Sequence, residues 1–512
     1  MEDKHIKSIA RNFQYVLIVT ASFFFLLFFA LTFIRLQYKF ILDITEGDSL
    51  LQVKRILSGE SLYTKPSLDY VPMIYTPLYF YLSAILTSIL GIGFMPLRLI
   101  SLLASLGCFL VIYLMVKKET NSKFSGFLAT GLFVASFRLS GSWFDIAKPD
   151  SLFLFFLLTA LYFIRFHDAR WSFIVAGILF SLSFLSKQTA LVIILPIILC
   201  CIYINWRRSL YLIIPTLTII ILTTLFFTAT TDGWYNYYIF ELPSQHTIDN
   251  KLFIYFWVKD LIYPLPIVFF MAIFVISNNL TKLNIKKGLF YLSTTFGMLI
   301  GSWVSRLHTG GYDNVLLPAY AILAILFGNA TQTGLQTLKL ISTSKQDIVK
   351  IYFYIACLIQ FASLIYDPFV QLPTQKDLEA GQQIISIMSK AEGDVFIPNQ
   401  SYLALFANKP IHAGGFPTDD VFRGSSNKVK NDLVSEIKLD IQERKFSVII
   451  LDSEWTLAPN DLSLFRKDLE KNYKLQNSLF VDKTTFIPVT GLKSRPQLIY
   501  IRISSNNQAS HP

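Results

Sequence analysis

Apolar and polar positions in this chain come in blocks rather than in alternation. Apolar runs long enough to span the hydrocarbon core of a bilayer, about 20 residues, fall at 13–34, 97–116, 124–141, 150–166, 171–186, 188–206, 209–230, 260–280, 288–305, 315–333 and 350–367. They predict a polytopic α-helical membrane protein with about eleven transmembrane helices. One more apolar stretch, 71–97, lies between Asp69 and Arg98 and holds Pro72, Pro77 and Pro96. Whether it crosses decides the orientation of everything after it. Let Lys4, Lys7 and Arg11 place the N-terminus in the cytoplasm. If 71–97 does not cross, Lys117, Lys118, Lys123, Arg165, Arg170, Arg207, Arg208, Lys282, Lys286, Lys287, Lys339, Lys345 and Lys350 all fall on that same side, as the positive-inside rule requires. The segment is therefore read as an interfacial or re-entrant helix within a first outer loop, 35–96, covered by protein or a cavity.

The pattern changes after 368. Strand-length apolar stretches at Val395–Pro398, Ser447–Leu451 and Leu498–Ile503 alternate with helical periodicity at Lys376–Ala391 and Asn427–Arg444. The predicted organisation is a transmembrane unit, 1–368, followed by a soluble α/β extracytoplasmic domain, 369–512. The expected location is the plasma (inner) membrane.

Composition agrees. The chain is 53% hydrophobic and 15% charged, against roughly 25% charged in soluble proteins. Its net charge of +11 sits in short loops beside apolar helices. That placement favours contact with anionic lipid over nucleic acid. Cys108, Cys200, Cys201 and Cys357 all lie inside apolar segments and are read as buried hydrophobes. The first apolar run lacks a small-residue cleavage site, so it is expected to remain as a helix. No spacing predicts a required metal, although a divalent cation is compatible with the acidic loop.

On this topology the unusual polar residues share the outer side. Asp43, Glu46 and Asp48 follow the first span. Crowded carboxylates raise one another's pKa, which suits a general base or phosphate handling, though a solvated loop end has the same composition. Asp145, Lys148 and Asp150 precede another span; Asp150 also fits a simple helix cap. Lys187, in Ser186-Lys187-Gln188, sits at headgroup depth, where it either snorkels or meets a lipid phosphate. Arg306, His308 and Asn314 flank Gly310-Gly311, a backbone that lets an oxyanion approach. The aromatic loop Trp234–Tyr238 reads as an interfacial belt. A water-facing cavity at headgroup depth follows, for a ligand with a phosphate and a lipid tail.

The stretches EGDSLLQVKRILSGESLYTKPSLDYVPMIYTPLYFYLSAIL, AKPDSLFLFFLLTALYF, LSFLSKQTALVIILP and HTGGYDNVLLPAYAILA resemble the GT-C membrane glycosyltransferases. The branch they are most similar to is the bacterial one related to protein O-mannosyltransferases and aminoarabinose transferases. The resemblance covers roughly residues 10–330 in order. It implies an inverting transfer from a polyprenyl-phosphate sugar to a glycan, lipid or protein hydroxyl on the outer face. Many members carry an Asp-Glu pair in the first outer loop. Here the sequence is Glu46-Gly47-Asp48, which leaves the base as either Glu46 or Asp48. Asp150 resembles the second acidic position. Asp43, Lys187, Arg306, His308 and Asn314 are expected beside the substrate. The alternative is a lipid-linked sugar transporter or flippase, which predicts inverted repeats or charges in mid-span; the sequence carries neither.

Overall fold

The computed structural model describes residues 2–281, 285–338, 343–424, 427–452, 463–480, 482 and 484–503. Its first eight long helices are α1 (Glu2–Gln37), α2 (Glu46–Leu57), α3 (Leu78–Leu90), α4 (Phe94–Thr120), α5 (Lys123–Ala135), α6 (Asp150–Phe166), α7 (Arg170–Ser186) and α8 (Ala190–Thr230). Further helices span Pro266–Thr281, Ile285–Leu307, Leu317–Leu338 and Thr343–Ala362. Helix covers most of every apolar block. Among the described residues, four helices are by themselves long and apolar enough to cross a membrane: α1, α4, α8 and the one ending at Leu338. The rest are shorter or broken. Residues 124–141 give only the 13-residue α5.

Two predicted spans, 188–206 and 209–230, run together in α8, but Asn205 leaves helical geometry (φ −162°, ψ 93°) and the chain turns back there. The contacts show the reversal. Arg208 donates to Asp168 (2.7 Å) and to the His167 carbonyl (2.9 Å), at the far end of α6. Lys187, just ahead of α8, reaches Asp150 at the near end of α6. Tyr235, just past the end of α8, packs edge-on against Tyr63, also at the near end. The block 260–280 is also remodelled. Helical backbone at Leu252–Ile262 meets Pro266–Leu280 at 93°. Pro264 and Pro266, which lack an N–H, lie at this break.

The ambiguous stretch contains α3, whose 13 residues make about 20 Å of helix, short of a ~30 Å hydrocarbon core. Gly91 (φ 91°) separates it from α4. Tyr79, Phe80 and Ala84 are buried, whereas Ile85, Ile89 and Leu90 are exposed. The aromatic loop is not a surface belt. Tyr235 and Tyr238 are fully buried, because the chain beyond α8 folds inward onto Tyr63.

Charged groups divide between the two ends of the bundle. At the end away from Asp150, Glu119 accepts from Arg165 (2.8 Å) and Tyr291 (2.9 Å) and pairs with Lys287 (2.8 Å). Lys282 and Lys339 lie outside the described residues. At the Asp150 end, the C-terminal segment packs on the bundle. It carries a four-stranded sheet of β1 (Val395–Phe396), β2 (Val448–Asp452), β3 (Tyr473–Ser478) and β4 (Pro496–Arg502), in the order β1-β2-β4-β3. The β1–β2 pair is parallel and the other pairs are antiparallel. One apolar core fills the helical bundle. A second joins Phe40, Leu50, Tyr79 and Phe94 to Tyr402, Phe446 and Ile450, so the C-terminal segment and the 40–104 region share a single interior.

Close helix approach depends on small residues. A Cβ on Gly177 would lie 2.5 Å from the Leu212 carbonyl oxygen. Gly177→Val is expected to lose about 1–3 kcal/mol by overpacking, read as a lower unfolding temperature in detergent. An unchanged temperature would mean that α7 and α8 do not meet there.

Candidate functional site

The site is built on two buried ion pairs. Arg98, in the second turn of α4, is completely buried and uses all five of its N–H donors. It donates to Glu46 (2.9 and 2.6 Å) and to the carbonyls of Arg35 (2.9 Å), Tyr38 (2.7 Å) and Phe40 (2.6 Å). Glu46, the first residue of α2, also accepts from the backbone N–H groups of Leu42 (2.7 Å) and Ala147 (2.8 Å). Burial alone would raise the Glu46 pKa; the Arg98 guanidinium and the two N–H groups outweigh it and hold the carboxyl below its ordinary value. Beside this pair, Arg35 binds Asp145 in bidentate fashion (2.8 and 2.9 Å) and donates to the carbonyls of Ser142 and Gln371. Together the pairs fix the chain on both sides of Asp43 and Lys148.

Asp43 accepts from the Thr45 backbone N–H (2.9 Å) and hydroxyl (2.5 Å). It lines a cavity of about 580 Å³, mostly apolar, together with Tyr75, Lys187, His308, Asn314 and Phe416. Burial raises the Asp43 pKa to about 6, against lowering by Thr45 and Lys148. Lys148 is buried, and its Nζ makes no hydrogen bond within the described residues. It stands 4.5 Å from the centre of the Tyr75 ring. Burial lowers its pKa to about 8 despite Asp43, Asp150 and Asp48 nearby. Asp48 lies in the first turn of α2, two residues after Glu46. Burial raises its pKa to about 8, with Asp420 and Asp43 adding to the rise and Lys148 opposing it. Near neutral pH Asp43 is thus the ionised member of the two, and Asp48 is mostly protonated.

The structure brings most of the predicted residues to this one end, in different positions. Asp43, Lys187, His308 and Asn314 line the cavity; Glu46, Asp48, Asp150 and Arg306 do not. Asp150 stands behind the wall, accepting from Lys187 (2.5 Å) and Asn314 (2.8 Å) through one oxygen. Its second oxygen has no hydrogen bond within the described residues. Arg306 is turned to Asp260 (3.0 Å), Asp313 (3.1 Å) and the Gly311 carbonyl (3.1 Å), so it braces the Gly310-Gly311 loop. Among the described residues, no group of three or more His, Cys, Asp or Glu is placed to hold a metal ion.

Several contributors are not evident from sequence. Arg98 and Arg35 sit at the edges of apolar blocks, where they read as boundary markers. The C-terminal segment supplies Phe416, Asp419, Asp420 and Arg423 to the cavity wall. Arg423 pairs with Asp419 and lies 3.8 Å from Asp420. The one signal for that stretch is its motif of two glycines, an aromatic and two acids, Gly414-Gly415-Phe416 through Asp420.

Residues 72–231 match the family model for dolichyl-phosphate-mannose-protein mannosyltransferases. No curated protein matches the chain in sequence. Among solved structures it is similar to ArnT from Cupriavidus metallidurans bound to undecaprenyl phosphate, at 12% identity and a TM-score of 0.59, covering 94% of this chain and 98% of that one. It is also similar to the apo state of that protein, at 11% identity and a TM-score of 0.61, with the same coverage. The chain has the GT-C fold. The GT-C comparison fits a multi-pass membrane protein, and the family match begins in the stretch that holds Tyr75 and α3.

Removing one member of a buried pair leaves the other charge uncompensated, at a cost of roughly 3–5 kcal/mol. Glu46→Gln is expected to lower stability by that order, with activity lost in proportion to folded protein, measured by thermal unfolding in detergent. A fully stable but inactive Glu46→Gln would instead give Glu46 a direct chemical role.

Proposed function

We propose that this protein is an inverting glycosyltransferase that moves a sugar from a polyprenyl-phosphate donor to a hydroxyl acceptor at the outer face of the plasma membrane. The observation that carries the reading is an ionisable, buried Asp43 in the wall of a largely apolar cavity that also holds Lys187. The fold match supports it, since the similar ArnT was crystallised with undecaprenyl phosphate. On this reading the bundle crosses the membrane eleven times, with the N-terminus in the cytoplasm and the Asp150 end outside.

The chemistry follows from the groups present. The lipid tail lies in the apolar part of the cavity, with its phosphate toward Lys187. Asp43 takes the proton of the acceptor hydroxyl as that oxygen bonds to the anomeric carbon. The bond from that carbon to the phosphate oxygen breaks, and its electron pair leaves with the lipid phosphate. Lys187 stabilises the charge gathering there. The attacking and leaving oxygens occupy opposite faces, so the centre inverts. Lys148 keeps Asp43 ionised by proximity.

Asp43→Asn is expected to cut turnover about 10²–10⁴-fold while retaining binding of undecaprenyl phosphate, read by lipid-phosphate release and by thermal shift. Wild-type turnover in this variant would overturn the assignment of the base. A second prediction concerns pH. The base must be ionised, so kcat/KM should rise through about pH 6. Lys148 lowers the Asp43 pKa, so Lys148→Met should move the acid limb to higher pH. An unmoved acid limb would show that a different group controls it.

A further inference from the structure

A second cavity, of about 250 Å³, opens between α2 and the C-terminal segment. It is lined by Asp48, Gln52, Asp69, Tyr70, His412 and Gly414, among others. Its relation to the first cavity is defined by two adjacent residues: Gly414 lines the second and Gly415 lines the first. The wall between them is therefore one peptide thick at this point. Asp48 presses against it, since a Cβ on Gly414 would fall 1.7 Å from Asp48 Oδ1.

The second cavity has its own recognition groups. His412 is 4% exposed, and neither ring nitrogen makes a hydrogen bond within the described residues. The nearest carboxylates are those of Asp69, 3.5 Å from Nδ1, and Asp394, 3.9 Å from Nε2. A buried imidazole whose carboxylate neighbours stand at 3.5 Å and beyond keeps hydrogen-bonding capacity that a ligand can satisfy. The lining offers acceptors at Asp48 and Asp69, an amide at Gln52 and donor capacity at His412. Its two cations are matched: Arg55 pairs with Glu60 (2.8 Å), and Lys54 is balanced by the Asp69 carboxylate in the same lining. Positive charge is thus not in excess, which disfavours a phosphate and suits a neutral ligand rich in hydroxyls. The volume is small beside the roughly 300–1,000 Å³ of drug-sized clefts, the scale of a single ring rather than a long chain.

We propose that this second cavity binds a neutral sugar ring of the acceptor next to the ring that carries the reacting hydroxyl, across the Gly414–Gly415 wall from the donor. The proposal rests on the glycosyltransferase reading above and makes the acceptor a neutral carbohydrate. In this arrangement Asp48 and His412 position the acceptor, and Asp43 remains the base.

The test uses the full chain in nanodiscs, with neutral methyl hexosides as the probe and saturation-transfer NMR as the readout. Binding of undecaprenyl phosphate, followed by thermal shift on the same samples, reports the first cavity separately. Wild type should bind at least one hexoside. His412→Ala and the exposed, fold-neutral Asp69→Asn should each weaken that binding at least five-fold without altering lipid binding. Lys187→Ala should keep the hexoside and weaken the lipid. If no hexoside binds wild type, or if binding survives both second-cavity variants, the proposal is overturned while lipid binding still supports the donor site. Hexoside binding lost only in Lys187→Ala would place the sugar in the first cavity and also overturn it. Failure of undecaprenyl phosphate to bind, with hexoside binding intact, would sink the donor reading and leave the carbohydrate site standing.

Discussion

The fully buried Arg98 guanidinium is the constraint from which the rest of the site follows. An isolated cation there would be prohibitively unstable. It persists because Glu46 and three backbone carbonyls take all its protons. Those carbonyls belong to the end of α1 and the residues just after it, the carboxylate to the start of α2, and the guanidinium to α4. Glu46 in turn holds the N–H of Ala147, next to Lys148. One hydrogen-bonded node therefore sets the positions of Asp43 and Lys148 without itself facing the cavity. Arg35 and Asp145 repeat the device and extend it to Gln371.

This division of labour explains why neighbouring carboxylates differ. Glu46 has an ordinary acid's chemistry suppressed by saturation: every lone pair is engaged, and its proton affinity falls. Asp48 is buried beside other acids, and its proton affinity rises. Asp43 lies between these extremes, its carboxylate hydrogen-bonded among the described residues only to Thr45 and open to the cavity. Residues within six positions of one another thus separate into scaffold, neutral acid and ionised carboxylate by environment alone.

Much of the helical architecture was legible in the blocks of apolar residues, because a bilayer-length helix leaves a long, unambiguous signal. The reading of 71–97 as interfacial came from cations rather than hydropathy, and the helix within it, α3, has 13 residues. The gathering of Asp43, Lys187, His308 and Asn314 at one end was visible as shared sidedness. The finer assignments were not. Spacing could not distinguish a carboxylate that meets an arginine 52 residues away from one that faces a cavity. Arg306 read as a free cation because its partner Asp260 lies 46 positions earlier. The aromatic loop read as a belt because interfacial and buried aromatics have the same composition. Asp420 and Phe416 lay in a segment whose packing onto the 40–104 region leaves no local pattern.

The long sequence separations within the Arg35 cluster also set an order of assembly. Arg35 leaves the ribosome early, yet one of its acceptors, the Gln371 carbonyl, is 336 residues further on. At the usual ~5–20 residues per second of synthesis, that gap lasts roughly 20–70 s. Through that interval the C-terminal end of α1 holds a cation whose final environment is incomplete. Arg98 can bind Glu46 and the 35–40 carbonyls as soon as α4 is in place, so this inner part of the scaffold closes first. The C-terminal segment then seals a half-built site, and a chain truncated before Gln371 keeps the Arg35–Asp145 pair but leaves one buried Arg35 N–H without its acceptor.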